Sequence, residues 1–380
     1  MEAIGRGQGG GAAYGGAMDE RYLDDVVAIL PPLLQALDRL GFLARYFDPA
    51  HYGELLAAVG APEVTLAALR PRLAVWPEPL ADARAALATA ADATLAAYAG
   101  LRAAPDNLDG MTPVFRALRE QPRALEALYP LSRALPPVSR FFLDPARRDD
   151  AELSAALMGA APPPDTGVLH GGGEPGARGG WSAYVPETYS PDRAWPVVFA
   201  LHGGSGNGRD FLWSWLREAR TWGAIVVAPT AVGRTWALQG DDADTPNLAA
   251  ILDVVRTRWT IDPTRMLLSG MSDGGTFSYV SGLEPASPFT HLAPAAAAFH
   301  PMMAAFADRE RLLGLPIHIA HGARDWMFPV DMAREAADAL ARAGADVTYR
   351  ELDDLSHAFP RELNGGILAW MARTASGRGE

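Results

Sequence analysis

The sequence contains no cysteine among its 380 residues. Disulfide bonds, thiolate nucleophiles and cysteine-ligated zinc or iron–sulfur centres are therefore excluded. Basic residues are scarce relative to acidic ones, 33 against 45, which gives a formal net charge of −12. Because no run of Lys or Arg offsets this excess, we expect the protein to bind neither nucleic acid nor anionic membrane surfaces.

Long apolar runs are also missing. The first 20 residues, MEAIGRGQGGGAAYGGAMDE, contain no apolar segment of the kind found in secretory signals. The longest weakly polar stretch, residues 292–307, is too short to span a bilayer and is interrupted by His300 and prolines. From the sequence we therefore expect no membrane span and a cytoplasmic location.

The first half of the chain has the composition of a helical domain. Residues 1–17 are glycine-rich and predict a flexible tail. Residues 18–160 are rich in alanine and leucine at helical spacing, with separate helices expected to begin near Met18 and at Pro31. We predict an all-helical N-terminal domain that serves either as a cap over a site or as the surface of a homodimer.

The second half, residues 165–376, alternates short apolar runs with helical patterns after a region rich in proline and glycine. Residues 168–170 and 181–186 are expected to pair as a hairpin. Further strands are predicted at 196–203, 224–230, 265–270, 294–300, 316–322 and 346–352. This alternation predicts an α/β fold with a mostly parallel sheet flanked by helices, in which ligands bind beyond the carboxyl ends of the strands.

The strand predicted at 265–270 runs into Gly270-Met271-Ser272-Asp273-Gly274, a match to G-x-S-x-G in a strand–turn–helix context. Glycines on both sides of a serine suit a tight turn in which neighbouring side chains would clash. The alternative is a serine that only caps the next helix.

Two further strand ends strengthen the first interpretation. Asp325 follows the strand at 316–322, and His357 lies in the loop after the last strand. The order serine, acid, histidine is the order of catalytic residues in α/β-hydrolases. Taken singly, each residue could be a surface or capping residue, but three at the appropriate strand ends favour a catalytic triad.

The loop HGGSGNGRD after the strand at 196–203 contains several glycines. A phosphate-binding loop is excluded, because Arg209 and Asp210 stand where lysine and serine or threonine would be needed. The alternative is an oxyanion hole, formed by a backbone N–H beside the His-Gly turn and by the N–H of Asp273.

Together, HGGSGNGRD, GMSDGG, HGARD and SHAF resemble the α/β-hydrolase superfamily, and within it the phospholipase/carboxylesterase group, with polyhydroxyalkanoate depolymerases and feruloyl esterases as relatives. The resemblance covers roughly residues 165–376. It implies that Ser272 is the nucleophile, His357 the base and Asp325 the orienting acid, with Gly204 and Asp273 as oxyanion donors. The implied activity is hydrolysis of short- to medium-chain or aryl carboxylic esters, without a metal or cofactor.

Residues near these loops are candidates for substrate binding, namely Trp236, Met271 and Trp326. Four alternatives remain open at this point: a polyester depolymerase, a feruloyl esterase, a peptidase, and a scaffold whose helical half recruits a partner.

Overall fold

The computed structural model describes residues 20–106 and 111–376, so the predicted flexible tail, residues 1–17, lies outside the described residues. Within the described part, only helices precede the first strand, which agrees with the predicted helical N-terminal region. They are α1 (Glu20–Tyr46), α2 (Tyr52–Val59), α3 (Glu63–Leu69), α4 (Ala81–Ala103), α5 (Thr112–Leu118), α6 (Glu120–Leu128), α7 (Pro136–Phe141) and α8 (Ala151–Gly159). We call this part the helical region.

The remainder, which we call the hydrolase region, alternates strands and helices. The strands are β1 (Gly167–Gly171), β2 (Trp181–Val185), β3 (Trp195–Leu201), β4 (Ile225–Pro229), β5 (Ile261–Met271), β6 (His291–Ala295), β7 (Pro316–Gly322) and β8 (Asp346–Leu352). The helices are α9 (Gly208–Phe211), α10 (Leu216–Trp222), α11 (Asp244–Arg258), α12 (Asp273–Gly282), α13 (Met302–Phe306), α14 (Arg309–Leu312), α15 (Val330–Arg342) and α16 (Asn364–Ser376).

The strands form one sheet in the order β1-β2-β4-β3-β5-β6-β7-β8. The pairs β1–β2 and β2–β4 are antiparallel, and all later pairs are parallel. The predicted hairpin and the predicted mostly parallel sheet are confirmed. The order reverses around β3, so the carboxyl ends of β3, β5, β7 and β8 open on one edge, where such sheets place their sites.

The sheet separates two hydrophobic cores. Along β3 the side chains alternate: Phe199 belongs to the core that includes residues of α11, α12 and α15 on one face, whereas Val198 and Ala200 belong to the core of the other face. That second core continues without interruption into the helical region, where Leu33 and Leu37 of α1 are fully buried. The helices therefore share a core with the sheet. The division into two domains stays a prediction.

One prediction for the helical region is wrong. The sequence predicted a break before Pro31, yet α1 is a single helix that contains both Pro31 and Pro32. Proline removes backbone hydrogen bonds, but apolar residues on both sides, Ile29 and Leu33, are completely buried and hold the two halves in line.

A second prediction gives one strand the wrong bounds. The strand predicted at 294–300 is β6, His291–Ala295. An alanine-rich run carries little strand signal, and the bounds are set by pairing with β5, in which Leu267 lies opposite His291. The strand ends because Ala296 adopts a positive φ of 46°.

By length and composition alone, Tyr22–Tyr46 of α1 is long and apolar enough to cross a membrane. Helices in the cores of soluble proteins can have the same length and composition. This helix buries Ile29, Leu33 and Leu40 completely against its neighbours. The absence of a membrane span stays a prediction.

Candidate active site

Ser272 lies in the turn between β5 and α12, with φ 55° and ψ −120°. Few residues other than glycine adopt such a backbone conformation, which places the serine side chain beyond the carboxyl end of β5. A Cβ on Gly270 would lie 2.3 Å from the carbonyl carbon of Gly274, and one on Gly274 would lie 2.4 Å from the carbonyl oxygen of Leu201. The turn therefore requires glycine on both sides of the serine.

The structure brings the three predicted triad residues together. The Nε2 atom of His357 lies 3.1 Å from the Oγ atom of Ser272. The Nδ1 atom of His357 lies 2.9 Å and 3.0 Å from the two carboxylate oxygens of Asp325. Since an ionised carboxylate only accepts hydrogen bonds, Nδ1 carries the proton and Nε2 is free to accept the proton of the serine hydroxyl.

The carboxylate of Asp325 has further contacts besides the one with His357. Its Oδ1 atom accepts hydrogen bonds from the backbone N–H groups of Met327 and Phe328, at 2.9 Å and 2.8 Å. The Nε2 atom of buried His321 lies 3.3 Å from Oδ2. Burial alone would raise the pKa of Asp325, but the hydrogen bonds from His357 and the two amides outweigh it and lower that pKa. The carboxylate is therefore ionised and fixed in orientation.

The loop after β3 lies against the serine turn. A Cβ on Gly203 would lie 3.6 Å from the Cβ of Ser272, and one on Gly204 would lie 2.8 Å from the carboxylate of Asp273. That carboxylate accepts a hydrogen bond of 2.5 Å from the hydroxyl of Thr235. The backbone N–H groups of Gly204 and Asp273 donate no hydrogen bond to another described residue. The two predicted oxyanion donors, Gly204 and Asp273, thus lie next to each other at the serine turn.

His202 shapes this loop. Its Nδ1 atom donates to the carbonyl of Gly203, and its Nε2 atom accepts from the N–H of Ala231, at 2.7 Å and 3.1 Å. Burial lowers the pKa of His202 to about 4. The imidazole is therefore neutral and structural near neutral pH.

Trp236 has a different place from the predicted one. Its indole is almost fully buried, stacks on Phe277 and packs against the ring of His202. Its N–H donates to the carbonyl of His202 at 2.7 Å. We correct the substrate-binding prediction for this residue: the indole supports the loop, because its ring is buried against Phe277 and His202 and its N–H is already used.

The other two predicted substrate-binding residues lie beside the triad. Met271 precedes the serine and lines a cavity together with His357. Trp326 is 43% exposed and its ring lies 6.0 Å from the imidazole, edge to face. Phe328 packs on the same imidazole at 5.3 Å.

The cavity next to His357 has a volume of about 530 Å³, which is within the range of small-molecule sites. The hydrolase region supplies one wall, which includes Phe211, Trp213 and Phe359. The helical region supplies the opposite wall, from the end of α1 and from α5 and α6. The helices therefore cover the space beside the catalytic base.

Several residues at this cavity carried no signal in the sequence. Phe42, Phe47 and Phe115 of the helical region line it, as does Arg361 after the histidine loop. In the amino-acid sequence each of them is an ordinary helical or loop residue. Only the packing of the helical region on the hydrolase region brings them to the cavity beside His357.

Metal chemistry has no visible support in the described ranges. Among residues 20–106 and 111–376, no group of three or more histidine or acidic side chains could hold a metal ion. The absence of a metal or cofactor stays a prediction.

Residues 177–375, just over half of the chain, match the family described as the dienelactone hydrolase family. The chain belongs to the dienelactone hydrolase family. This family is part of the α/β-hydrolase superfamily, so the predicted superfamily and fold class are confirmed.

Similar proteins include a probable feruloyl esterase C of Aspergillus terreus, 27% identical over 42% of this chain and 59% of its own length. A poly(3-hydroxybutyrate) depolymerase of Ralstonia pickettii is 27% identical over 27% of this chain and 25% of its own length. A solved thermostable esterase is 23% identical, with 52% of this chain and 56% of that chain covered and a TM-score of 0.38. The chain thus spans less than two thirds of the length of each of these three proteins.

Proposed function

We propose that the protein is a serine carboxylesterase that hydrolyses small carboxylic esters through an acyl-enzyme. The observation that carries this proposal is the hydrogen-bonded series from Asp325 through His357 to Ser272, with the serine in a turn that strains its backbone. Membership of a hydrolase family agrees with it. Short- to medium-chain and aryl esters are the substrates we expect.

The geometry suits a two-step acyl transfer. Ser272 attacks the ester carbonyl while His357 Nε2 takes the hydroxyl proton, and the imidazolium then gives that proton to the leaving alcohol. Water, deprotonated by His357, then attacks the acyl-enzyme in the same way, which releases the acid and restores the serine. Asp325 keeps the imidazole in the tautomer that has its proton on Nδ1 and stabilises the imidazolium.

The tetrahedral intermediates carry a negative oxygen. The free N–H groups of Gly204 and Asp273 are the donors that we assign to it, and Asp273 is also the first residue of α12, where the helix dipole favours a negative charge. One such donor contributes about 3–4 kcal/mol to the lowering of the barrier in serine hydrolases.

The test is Ser272→Ala, assayed with phenyl acetate and ethyl butyrate. We expect turnover to fall by roughly 10⁴-fold or more, since removal of the nucleophile abolishes the acyl-enzyme. Ser190→Ala, which changes a serine on a surface turn, is the matched control and should keep its activity. A correctly folded Ser272→Ala protein that still hydrolyses either ester at the wild-type rate would rule the proposal out.

Feruloyl ester hydrolysis is the second candidate. The aromatic wall of the cavity beside His357 favours it, and a relative carries that name. A polymeric polyester is a weaker candidate, because helices of the N-terminal region cover the space next to the base. The homodimer and the cytoplasmic location stay predictions.

A further inference from the structure

The cavity beside His357 has aromatic side chains on both of its walls. Phe42, Phe47 and Phe115 come from the helical region, and Phe211, Trp213 and Phe359 from the hydrolase region. Several of these rings already contact each other edge to face, Phe47 with Phe115 at 5.5 Å and Phe211 with Phe359 at 5.3 Å. A flat ring inserted among them would make further contacts of the same kind.

Most charged groups at this cavity neutralise one another. Arg217 donates to Asp38 at 3.0 Å, and Arg45 donates to Glu362 at 2.5 Å. Because these pairs leave little net charge, the cavity offers no strong field for an ionic ligand. An uncharged group suits it better.

Two charged groups at the cavity belong to no ion pair: Asp210, whose carboxylate accepts a hydrogen bond from Asn207 at 2.8 Å, and Arg361. The guanidinium of Arg361 makes no hydrogen bond or ion pair with another residue that the structure describes. Burial, followed by the positive charge of Arg217, lowers the pKa of Arg361 to about 10, so it remains a cation near neutral pH. Its N–H donors are available to a ligand oxygen.

Resting on the esterase function proposed above, we propose that this cavity binds the aromatic half of a small uncharged ester, with Arg361 donating to an oxygen substituent on the ring. The helical region is then a cap that supplies half of the substrate-binding surface. The volume of about 530 Å³ exceeds what a short acyl chain fills and accommodates a substituted aryl group.

Ala44→Trp tests the occupant by filling the cavity. Ala44 lines the cavity from α1, whereas Val27 lies on an exposed face of the same helix and does not line it. The assay gives kcat/KM for ethyl cinnamate and phenyl acetate, each divided by the value for ethyl acetate. We expect Ala44→Trp to lower at least one ratio tenfold or more, and Val27→Trp to keep both within twofold of wild type.

Phe115→Ala changes the cavity in the opposite direction and guards against a misfolded Ala44→Trp protein. Phe115 is 42% exposed, so its removal leaves the buried core intact. Loss of its ring should raise the ratio of 2-naphthyl acetate to phenyl acetate turnover at least threefold. If neither variant moves its ratio by twofold while Ser272→Ala abolishes hydrolysis, the cavity assignment is overturned and the esterase function stands. If Ser272→Ala remains active, the esterase function itself fails.

Arg361→Met tests the polar part of the proposal. We expect the preference for ethyl 4-hydroxycinnamate over ethyl cinnamate, taken from kcat/KM, to fall at least fivefold, because the donor to the ring oxygen is lost. An unchanged preference in a folded Arg361→Met protein would overturn the role assigned to Arg361.

Discussion

The two regions of the molecule contribute to the candidate site in different ways. The hydrolase region places Ser272 directly after β5, and it places Asp325 and His357 three and five residues after the ends of β7 and β8. The helical region supplies no catalytic group in our mechanism, yet it forms one wall of the cavity beside the base. Chemistry thus comes from strand ends, and shape comes from packed helices.

The contrast would be weak if the helices were only loosely attached, but they are anchored by a buried ion pair. Arg220 of α10 donates to Glu187 at 2.9 Å and to the carbonyl of Ser139 in α7 at 2.8 Å. Tyr129 of the helical region also donates to Glu187, at 2.8 Å. Since both charged groups are almost fully buried, we expect the two regions to unfold together.

Glu187→Gln tests that attachment and should have the largest effect. It leaves the Arg220 guanidinium buried without a counter-charge, which costs about 3–5 kcal/mol in the free energy of unfolding. Denaturant unfolding, followed by tryptophan fluorescence and circular dichroism, should show one transition at lower denaturant. Asp165→Asn, which removes a surface ion pair with Arg258, is the control and should cost less than about 1 kcal/mol. Two separate transitions would break the comparison.

The same contrast explains what the sequence could predict. The triad could be predicted because each member lies within five residues of a strand end and because the glycines around Ser272 are required sterically. Trp236 was misplaced because an aromatic residue after a strand end looks the same whether it lines a pocket or supports a loop. The cavity could not be predicted, since Phe42, Phe115 and Phe359 line it together only because distant parts of the chain pack against each other. The continuity of α1 through Pro31 likewise depends on tertiary packing.

Acid sensitivity should also separate the two regions. In the described helical region the only histidine is His51, which is exposed. In the hydrolase region, His318 of β7 is buried against Trp370, and its Nδ1 atom has no partner among the described residues. Burial first, and the charge of Arg350 in addition, lower the pKa of His318 to about 4.

His318→Phe should therefore reduce the loss of stability in acid. The folded-state pKa lies below the unfolded value of about 6.5, so the unfolded chain binds the proton first as the pH falls. The contribution of the neutral His318 imidazole to the free energy of unfolding is fully present above that value, and it is lost between about pH 6.5 and pH 4. At pH 5 this histidine alone costs about 2 kcal/mol relative to pH 7. The difference in unfolding free energy between pH 7 and pH 5 should shrink by that amount in His318→Phe but not in His51→Gln. An unchanged difference would contradict the assignment.

The smallest expected effect concerns a contact between the helical region and the loop that carries His357. It tests whether the helical region also affects the rate of catalysis. Arg45, at the end of α1, donates to Asp354 at 3.0 Å and to Glu362 at 2.5 Å, and these carboxylates flank His357 in the chain. Both carboxylates are about half exposed, so the ion pairs contribute little to stability.

Their effect should lie in the position of the histidine loop, where a small displacement of a catalytic group is costly. We expect Arg45→Ala to lower kcat for ethyl acetate roughly tenfold, about 1.4 kcal/mol in the barrier, and Arg45→Lys to recover part of it, since a lysine reaches one carboxylate at a time. Arg70→Ala removes an equally well paired arginine within the helical region and should leave kcat unchanged. If Arg45→Ala keeps the wild-type kcat, the helical region does not position the catalytic histidine, and its contribution to the site is limited to one wall of the cavity.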